Sequence, residues 1–125
     1  MKTDLIRQPT VVLDLDGVVW LAGHELPGAS SAVARLRSAG LDVLFVTNNS
    51  SPTIADMQRR LERIGIPAAA DEVITAAVAA ASALRPDSSA MVIGEEGVHE
   101  AVRARGVTET SDGAPDGVVV GWERS

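Results

Sequence analysis

Two carboxylates one residue apart, Asp14 and Asp16, followed directly by Gly17, are where residue type and spacing first point to chemistry. At the end of an apolar segment they make a compact anionic corner that one Mg²⁺ can neutralise through oxygen ligands. Such a corner suits phosphoryl transfer. One carboxylate can attack phosphorus to give an aspartyl-phosphate, while the other protonates the leaving oxygen and later deprotonates the water that hydrolyses the intermediate. The phosphoryl oxygens also need donors. The hydroxyl of Thr47 and the amides of the Asn48-Asn49 turn would supply them, just ahead of a helix N-terminus. On spacing alone an Asp-x-Asp pair is more often a loop or a helix cap than a site. The apolar run before it changes that weighting, because ionised side chains at the mouth of a buried sheet cost free energy unless a metal or hydrogen bonds compensate. A calcium loop counted from Asp14 would need a ligand at Val18 and a glycine at Val19, so Glu25 at its last position is a coincidence.

The elements that must position these groups read as alternating strands and helices. Residues 10–15 are β-branched and apolar on both faces, which suits a strand buried between helix layers of a parallel sheet. From Pro27, Ala29, Val33 and Leu36 recur at helical spacing, and Gly40 is placed for the left-handed cap. Residues 41–47 form a second apolar strand. Residues 48–51 are short and polar, suited to capping the next helix, with Pro52 at its first position. That helix aligns Ile54, Met57, Leu61 and Ile64 on one stripe, ends at residues 65–67, and turns Arg59, Arg60 and Arg63 to solvent. Further on the sequence predicts a short strand near Val73, a helix over 76–84, a break at Pro86, a strand over 90–93 and a helix over 95–105. A polar loop follows over 108–116, then a strand over 117–121. This order implies an α/β fold with right-handed crossovers and ligands at the carboxyl ends of the strands, where both polar clusters lie.

With 125 residues and 46% hydrophobic content the chain suffices for one compact domain. A net charge of −6 without a basic stripe argues against nucleic acid as a partner. The absence of cysteine excludes disulfides, thiolate metal sites and a cysteine nucleophile, and fits a reducing, cytoplasmic setting. Residues 1–9 carry charge and no apolar h-region, and the stretch 73–84 is too short and alanine-rich for a bilayer, so the protein is expected to be soluble and not membrane-bound.

The segment 12–20, Val-Leu-Asp-Leu-Asp-Gly-Val-Val-Trp, resembles the first motif of the haloacid dehalogenase superfamily, and 45–50, Phe-Val-Thr-Asn-Asn-Ser, resembles its second. Their pairing is similar to the NagD-type branch of small-molecule phosphatases. Segments 71–75, 92–97 and 118–122 extend the likeness over nearly the whole chain. The resemblance implies that Asp14 is the nucleophile and a magnesium ligand. It implies that Asp16 is the general acid/base with its backbone carbonyl on the metal, and that Thr47, Asn48 and Asn49 bind the phosphoryl group. It further implies a partial doubly wound parallel-sheet core over residues 1–88 and the beginning of an inserted α/β cap over 89–125. The substrate would be a small phosphorylated metabolite, and a homo-oligomer is left open.

The family's third-motif lysine and fourth-motif carboxylates have no match, for the only lysine is Lys2. The chain therefore reads as an N-terminal fragment whose activity on its own is doubtful. Asp112 and Asp116 follow no apolar strand and read as loop residues. His24 and His99 have no companions at metal-ligand spacing and read as surface or structural residues. Trp20 serves equally as a pocket wall or a packing residue, and Glu95-Glu96 suits the electrostatics of a helix start. Two other readings compete: a receiver-like phospho-acceptor module, whose acceptor aspartate would have to stand where this chain has Thr47 or Gly94, and a non-catalytic phosphate- or metal-binding fragment.

Overall fold

A computed structural model describes residues 8–123; Lys2 and most of the charged N-terminal stretch lie outside them. Strand β1 (Thr10–Asp14) leads into a small hairpin of β2 (Trp20–Leu21) and β3 (His24–Glu25). Helix α1 (Ala29–Ser38), strand β4 (Asp42–Thr47), helix α2 (Ile54–Arg63) and strand β5 (Val73–Thr75) follow. A parallel sheet of order β1-β4-β5 results, with β1 and β4 paired from Thr10↔Asp42 to Asp14↔Val46. The expected α/β architecture is present, as alternation of apolar strands with amphipathic helices requires.

One expectation for β1 fails. Among the described residues helices cover only one sheet face, because two successive right-handed crossovers in the same direction put α1 and α2 on the same side. Val33 of α1 and Met57 and Leu61 of α2 close over Val43 and Phe45 in a single core. On the opposite face of β1, Val12 is 58% exposed.

Helix caps also differ from expectation. Residues 48–52 do not open α2; Pro52 precedes the cap, which is Thr53. Thr53 Oγ1 accepts from the Asp56 N–H at 3.1 Å and Asp56 Oδ2 accepts from the Thr53 N–H at 3.2 Å, a reciprocal capping box. Helix α1 begins after Gly28, which has no side chain to cap with, so Glu25 Oε1 accepts from the Ser30 N–H at 2.8 Å. Gly40 takes its expected left-handed conformation, φ 80°.

Thr75 caps helix α3 (Ala76–Ala81), shorter than expected because residues 82–84 close as turns. Strand β6 (Ser89–Ile93), helix α4 (Glu96–Ala104), β7 (Thr108–Glu109) and β8 (Gly117–Val120) build a second parallel sheet, ordered β7-β6-β8. Here the predicted loop is corrected: Thr108 and Glu109 pair with Ser89 and Ala90. Ladder hydrogen bonds outweigh the polarity that made them read as loop. Alanines 77, 81, 90 and 101 with Val98, Val102, Val107 and Val119 form a second core, to which α3 contributes. Asp116 ties the loop to β6 by accepting from the Ser89 N–H at 2.9 Å and its hydroxyl at 3.1 Å.

Three carboxylates thus do local structural work, and each is held below its ordinary pKa. Asp56 is lowered by the Thr53 hydroxyl and amide, then by Arg59; Glu25 by Ser30; Asp116 by the Ser89 amide and hydroxyl, then by Arg85. Depressed folded-state values mean stability that is present above the ordinary values of 4.5 for Glu25 and 3.8 for Asp56 and lost as pH falls through the lower, folded ones. The melting temperature should therefore decline as pH drops below about 4.5. In Asp56→Asn that decline should be shallower from a lower starting point, as thermal scans at successive pH values would record.

Candidate active site

The parallel register decides which groups meet. Because Asp14 lies opposite Val46, the carboxyl ends of β1 and β4 coincide, and the Thr47-Asn48-Asn49 turn begins one residue past the level of Asp14. Asp14 and Asp16 are both exposed at this edge. The Leu15 N–H donates to Asp14 Oδ1 at 2.7 Å, which fixes one carboxylate oxygen and leaves Oδ2 for chemistry.

Beyond Asp14 the chain winds around one anchor. Leu15 is fully buried, and its carbonyl accepts from the amides of Val18, Val19 and Trp20 at 3.2, 2.9 and 3.1 Å. Gly17 takes φ 81° in this coil, and its N–H donates to the Trp20 carbonyl at 2.7 Å. Trp20 Nε1–H in turn donates to Asp16 Oδ1 at 3.0 Å. Of the two roles open to Trp20 it fills both, being 5% exposed and also lining the cleft beside Asp16. The β2–β3 hairpin was not anticipated: Ala22 and Gly23 turn it with φ 49° and 81°, and alanine gives no signal for such a turn.

On the β4 side Thr47 is buried while Asn48 and Asn49 are exposed. Thr47 Oγ1 accepts from the Asn49 N–H at 3.1 Å, and Asn49 Oδ1 accepts from the Ser51 N–H at 3.0 Å. The turn thus braces itself, which corrects the expectation that both its amides face a ligand: the Asn49 amide is spent internally. The Thr47 hydroxyl proton and the Asn49 side-chain amide protons remain available as donors.

A cleft of about 200 Å³ next to Asp16 is lined by Trp20, Gly23, Arg60, Arg63 and Ile64. A second, of about 170 Å³, is lined by Asn49, Ser51, Pro52, Asp56, Arg60, Glu95 and Trp122. Arg60 borders both. Arg60 and Arg63 are exposed, as the helical stripe predicts, yet that polar face is also the cleft wall, and only their one-turn spacing on a helix following the Thr-Asn-Asn turn hinted at it.

Helix α4 and the second residue after β8 grip residues 50–54, just past this turn. The Gly97 N–H donates to the Ser51 carbonyl at 3.0 Å, the Trp122 N–H to Ser50 Oγ at 3.2 Å, and the Ile54 N–H to Glu100 Oε1 at 2.8 Å. Gly97 permits the approach, since a Cβ there would sit 2.3 Å from the Pro52 carbonyl oxygen and 2.6 Å from that of Ser50.

Other sequence candidates lie apart from this site. His99 Nδ1 pairs with Glu109 Oε2 at 2.7 Å, beside Arg103, and Asp112 donates its backbone N–H to Thr110 Oγ1 at 3.2 Å. No group of three or more His, Asp or Glu side chains able to hold a metal occurs among the described residues. The Asp14–Asp16 corner nonetheless has the right donor chemistry for a hard cation, each carboxylate keeping one oxygen outside its internal hydrogen bond.

The acidic corner and the Thr-Asn-Asn turn stand at adjacent carboxyl ends of a parallel α/β sheet, where such folds bind ligands. The family model for haloacid dehalogenase-like hydrolases matches residues 11–108, and the chain belongs to that family. It is 38% identical over 117 residues to the 5′-nucleotidase YutF of Bacillus subtilis, a match covering 91% of this chain and 45% of that protein. Among solved structures it resembles a protein described as a putative p-nitrophenyl phosphatase from Bacillus subtilis, with TM-score 0.84, 35% identity, and coverage of 98% of this chain and 48% of the other. It also resembles a glycerol phosphate phosphatase from Mycobacterium tuberculosis in complex with magnesium, with TM-score 0.78, 28% identity, and coverage of 94% and 36%. The chain thus spans less than half the length of the relatives it matches.

The grip of α4 on the turn is open to test. Gly97→Ala should destabilise the chain by about 1–3 kcal/mol through overpacking against the Pro52 and Ser50 carbonyls. Chemical denaturation of the variant beside the parent measures it, and an unchanged midpoint would show that the contact is loose.

Proposed function

We propose that this chain supplies the nucleophile-bearing half of a magnesium-dependent phosphatase that hydrolyses small phosphomonoesters through an aspartyl-phosphate. The observation that carries the reading is the parallel register of β1 and β4, which sets Asp14 beside the Thr47-Asn48-Asn49 turn. Residues 1–88 are read as the N-terminal part of the phosphatase core and 89–125 as the opening of an inserted cap. The names of the relatives support the substrate class: a nucleotide, a nitrophenyl phosphate and a glycerol phosphate are all phosphomonoesters.

Asp14 and the backbone carbonyl of Asp16 would hold the magnesium ion, which when bound offsets the repulsion between the carboxylates and a phosphoryl dianion. Asp14 Oδ2 then attacks phosphorus in line with the ester oxygen, with Oδ1 kept in place by the Leu15 N–H. The phosphorus–oxygen ester bond breaks as Asp16 gives its proton to the departing oxygen. Thr47 and Asn49 donate to the phosphoryl oxygens as their charge redistributes. Asp16, now ionised, takes a proton from water that attacks the aspartyl-phosphate. Inorganic phosphate leaves, Asp14 is regenerated, and Asp16 is again protonated.

The described residues contain no third carboxylate at the acidic corner, which favours a second reading for the 125 residues by themselves, a phosphate- and metal-binding half-site of little turnover. Hydrolysis of p-nitrophenyl phosphate with Mg²⁺ by the purified chain is accordingly expected near background. Loss of a single aimed cation or donor costs on the order of 10²–10³ in rate. The reference is a full-length framework, either a longer reading frame containing this chain or the Bacillus subtilis relative with residues 10–120 exchanged. Comparable turnover by the chain alone, as a monomer, would overturn the half-site reading. In the full-length framework Asp14→Asn should abolish turnover while leaving the thermal transition in place, and a variant that retains substantial activity would remove Asp14 from the nucleophile's role.

A further inference from the structure

We propose that Trp20 is the positioning residue for Asp16: its indole N–H holds Oδ1 and so turns Oδ2 to the leaving oxygen for the proton exchange. The inference rests on the reading of Asp16 as the acid/base group. Asp16 is exposed, and an exposed aspartate samples several rotamers. Trp20 is its opposite. The ring is buried, the Trp20 N–H donates to the Leu15 carbonyl, the Trp20 carbonyl accepts from Gly17, and the residue pairs with Glu25 across the hairpin. A donor fixed on three sides therefore reaches an exposed carboxylate at 3.0 Å and selects one of its orientations.

The chemistry of the donor makes the selection one of oxygens as well. An indole N–H can only donate, and the hydroxyl oxygen of a carboxylic acid is a poorer acceptor than its carbonyl oxygen, so the bond to Nε1 favours Oδ1 as the unprotonated oxygen. When Asp16 is protonated the proton is favoured on Oδ2. The Leu15 N–H has the parallel effect at Asp14, and each carboxylate is left with one committed oxygen and one working oxygen. Trp20 also lines the cleft beside Asp16 with Arg60 and Arg63, so the indole stands at the site and not merely beneath it.

A packing role alone would also give a buried indole some acceptor. The two are separated by how the loss depends on the leaving group. In the full-length framework, Trp20→Phe keeps an aromatic ring but removes the donor. The expected result is a fall in kcat of roughly tenfold or more on an alkyl phosphate, about the worth of a hydrogen bond to a charged group. On p-nitrophenyl phosphate, whose leaving group needs little protonation, the fall should be under about threefold, with KM little changed on either substrate. Equal losses on both substrates, or none, would overturn the proposal. Asp16→Asn is measured alongside. If it too fails to discriminate between the substrates, the acid/base reading has failed; if it discriminates and Trp20→Phe does not, the positioning role alone has failed. Should Trp20→Phe unfold, replacement of Trp20 by its isostere 3-benzothienylalanine, which puts sulfur in place of the N–H, reads the same difference.

A second readout needs no turnover. Trp20 and Trp122 are the only tryptophans, so the ¹⁵N-labelled chain gives two indole N–H resonances, assigned with Trp122→Phe. The Trp20 signal should move upfield and exchange faster in Asp16→Ala, and stay in place in Asp14→Ala. A Trp20 resonance indifferent to Asp16→Ala would sink the proposal.

Discussion

The in-register pairing of β1 with β4 is the constraint on which the rest depends. Side chains alternate along a strand, so a one-residue slip would turn Val43 and Phe45 away from α1 and α2 and expose the largest fully buried side chain among the described residues. The burial of Phe45 therefore fixes the register, and the register fixes the level of Asp14 relative to Thr47. In this way apolar packing about two residues below the strand end determines where the polar chemistry stands. Leu15 extends the arrangement upward: buried in the same core, it offers one carbonyl to three amides and winds the chain so that Asp16 returns to the edge occupied by Asp14.

A second dependence runs sideways. Residues 50–54 receive hydrogen bonds from, or give them to, Gly97, Glu100 and Trp122, all belonging to the second sheet and its helix. Gly97 sits against backbone carbonyls with no room for a methyl group, so α4 and the turn touch main chain to main chain. Close-packed contacts of this kind transmit displacement instead of absorbing it. Glu100 also accepts from the Ile54 N–H at the first turn of α2, whose N-terminus follows the Thr47-Asn48-Asn49 turn. The second sheet thus acts on the turn geometrically and electrostatically at once.

Much of this was legible in the sequence because the relevant signals are local and strong. The apolar runs ending at Asp14 and Thr47, the stripe of Ile54, Met57, Leu61 and Ile64, and Gly40 at a left-handed cap all appear as read. What was not legible depends on partners distant in sequence or on competing local chemistry. Which face of β1 lacks cover follows from crossover direction, a property of the assembled sheet, so Val12 could not be read as exposed. Thr53 takes the cap from the residues before it because Asp56 completes the reciprocal pair, whereas Pro52 offers only a favourable φ. Thr108 and Glu109 become strand only because Ser89 and Ala90 are beside them. The hairpin turn at Ala22 and Gly23 contradicts alanine's own backbone preference and is imposed by the pairing of Trp20 with Glu25. Within the candidate site, the carboxylates and the turn were visible as motifs, but the Trp20–Asp16 bond required knowing that the coil over Leu15 folds back on itself.

Electrostatics set the remaining condition on the site. The chain carries a net charge of −6, and among the described arginines Arg37 pairs with Glu72, Arg59 with Asp56, and Arg103 with Glu96 and Glu109. Arg60 and Arg63 are among those that form no ion pair among the described residues, and they line the cleft beside Asp16. Both are exposed, so water and salt screen most of their attraction for a bound phosphate. A guanidinium in that position raises the local concentration of anions more than it stabilises a transition state, which needs cations held close in a water-poor site. Two exposed guanidiniums beside Asp16 can therefore draw an anion toward this edge without holding it tightly.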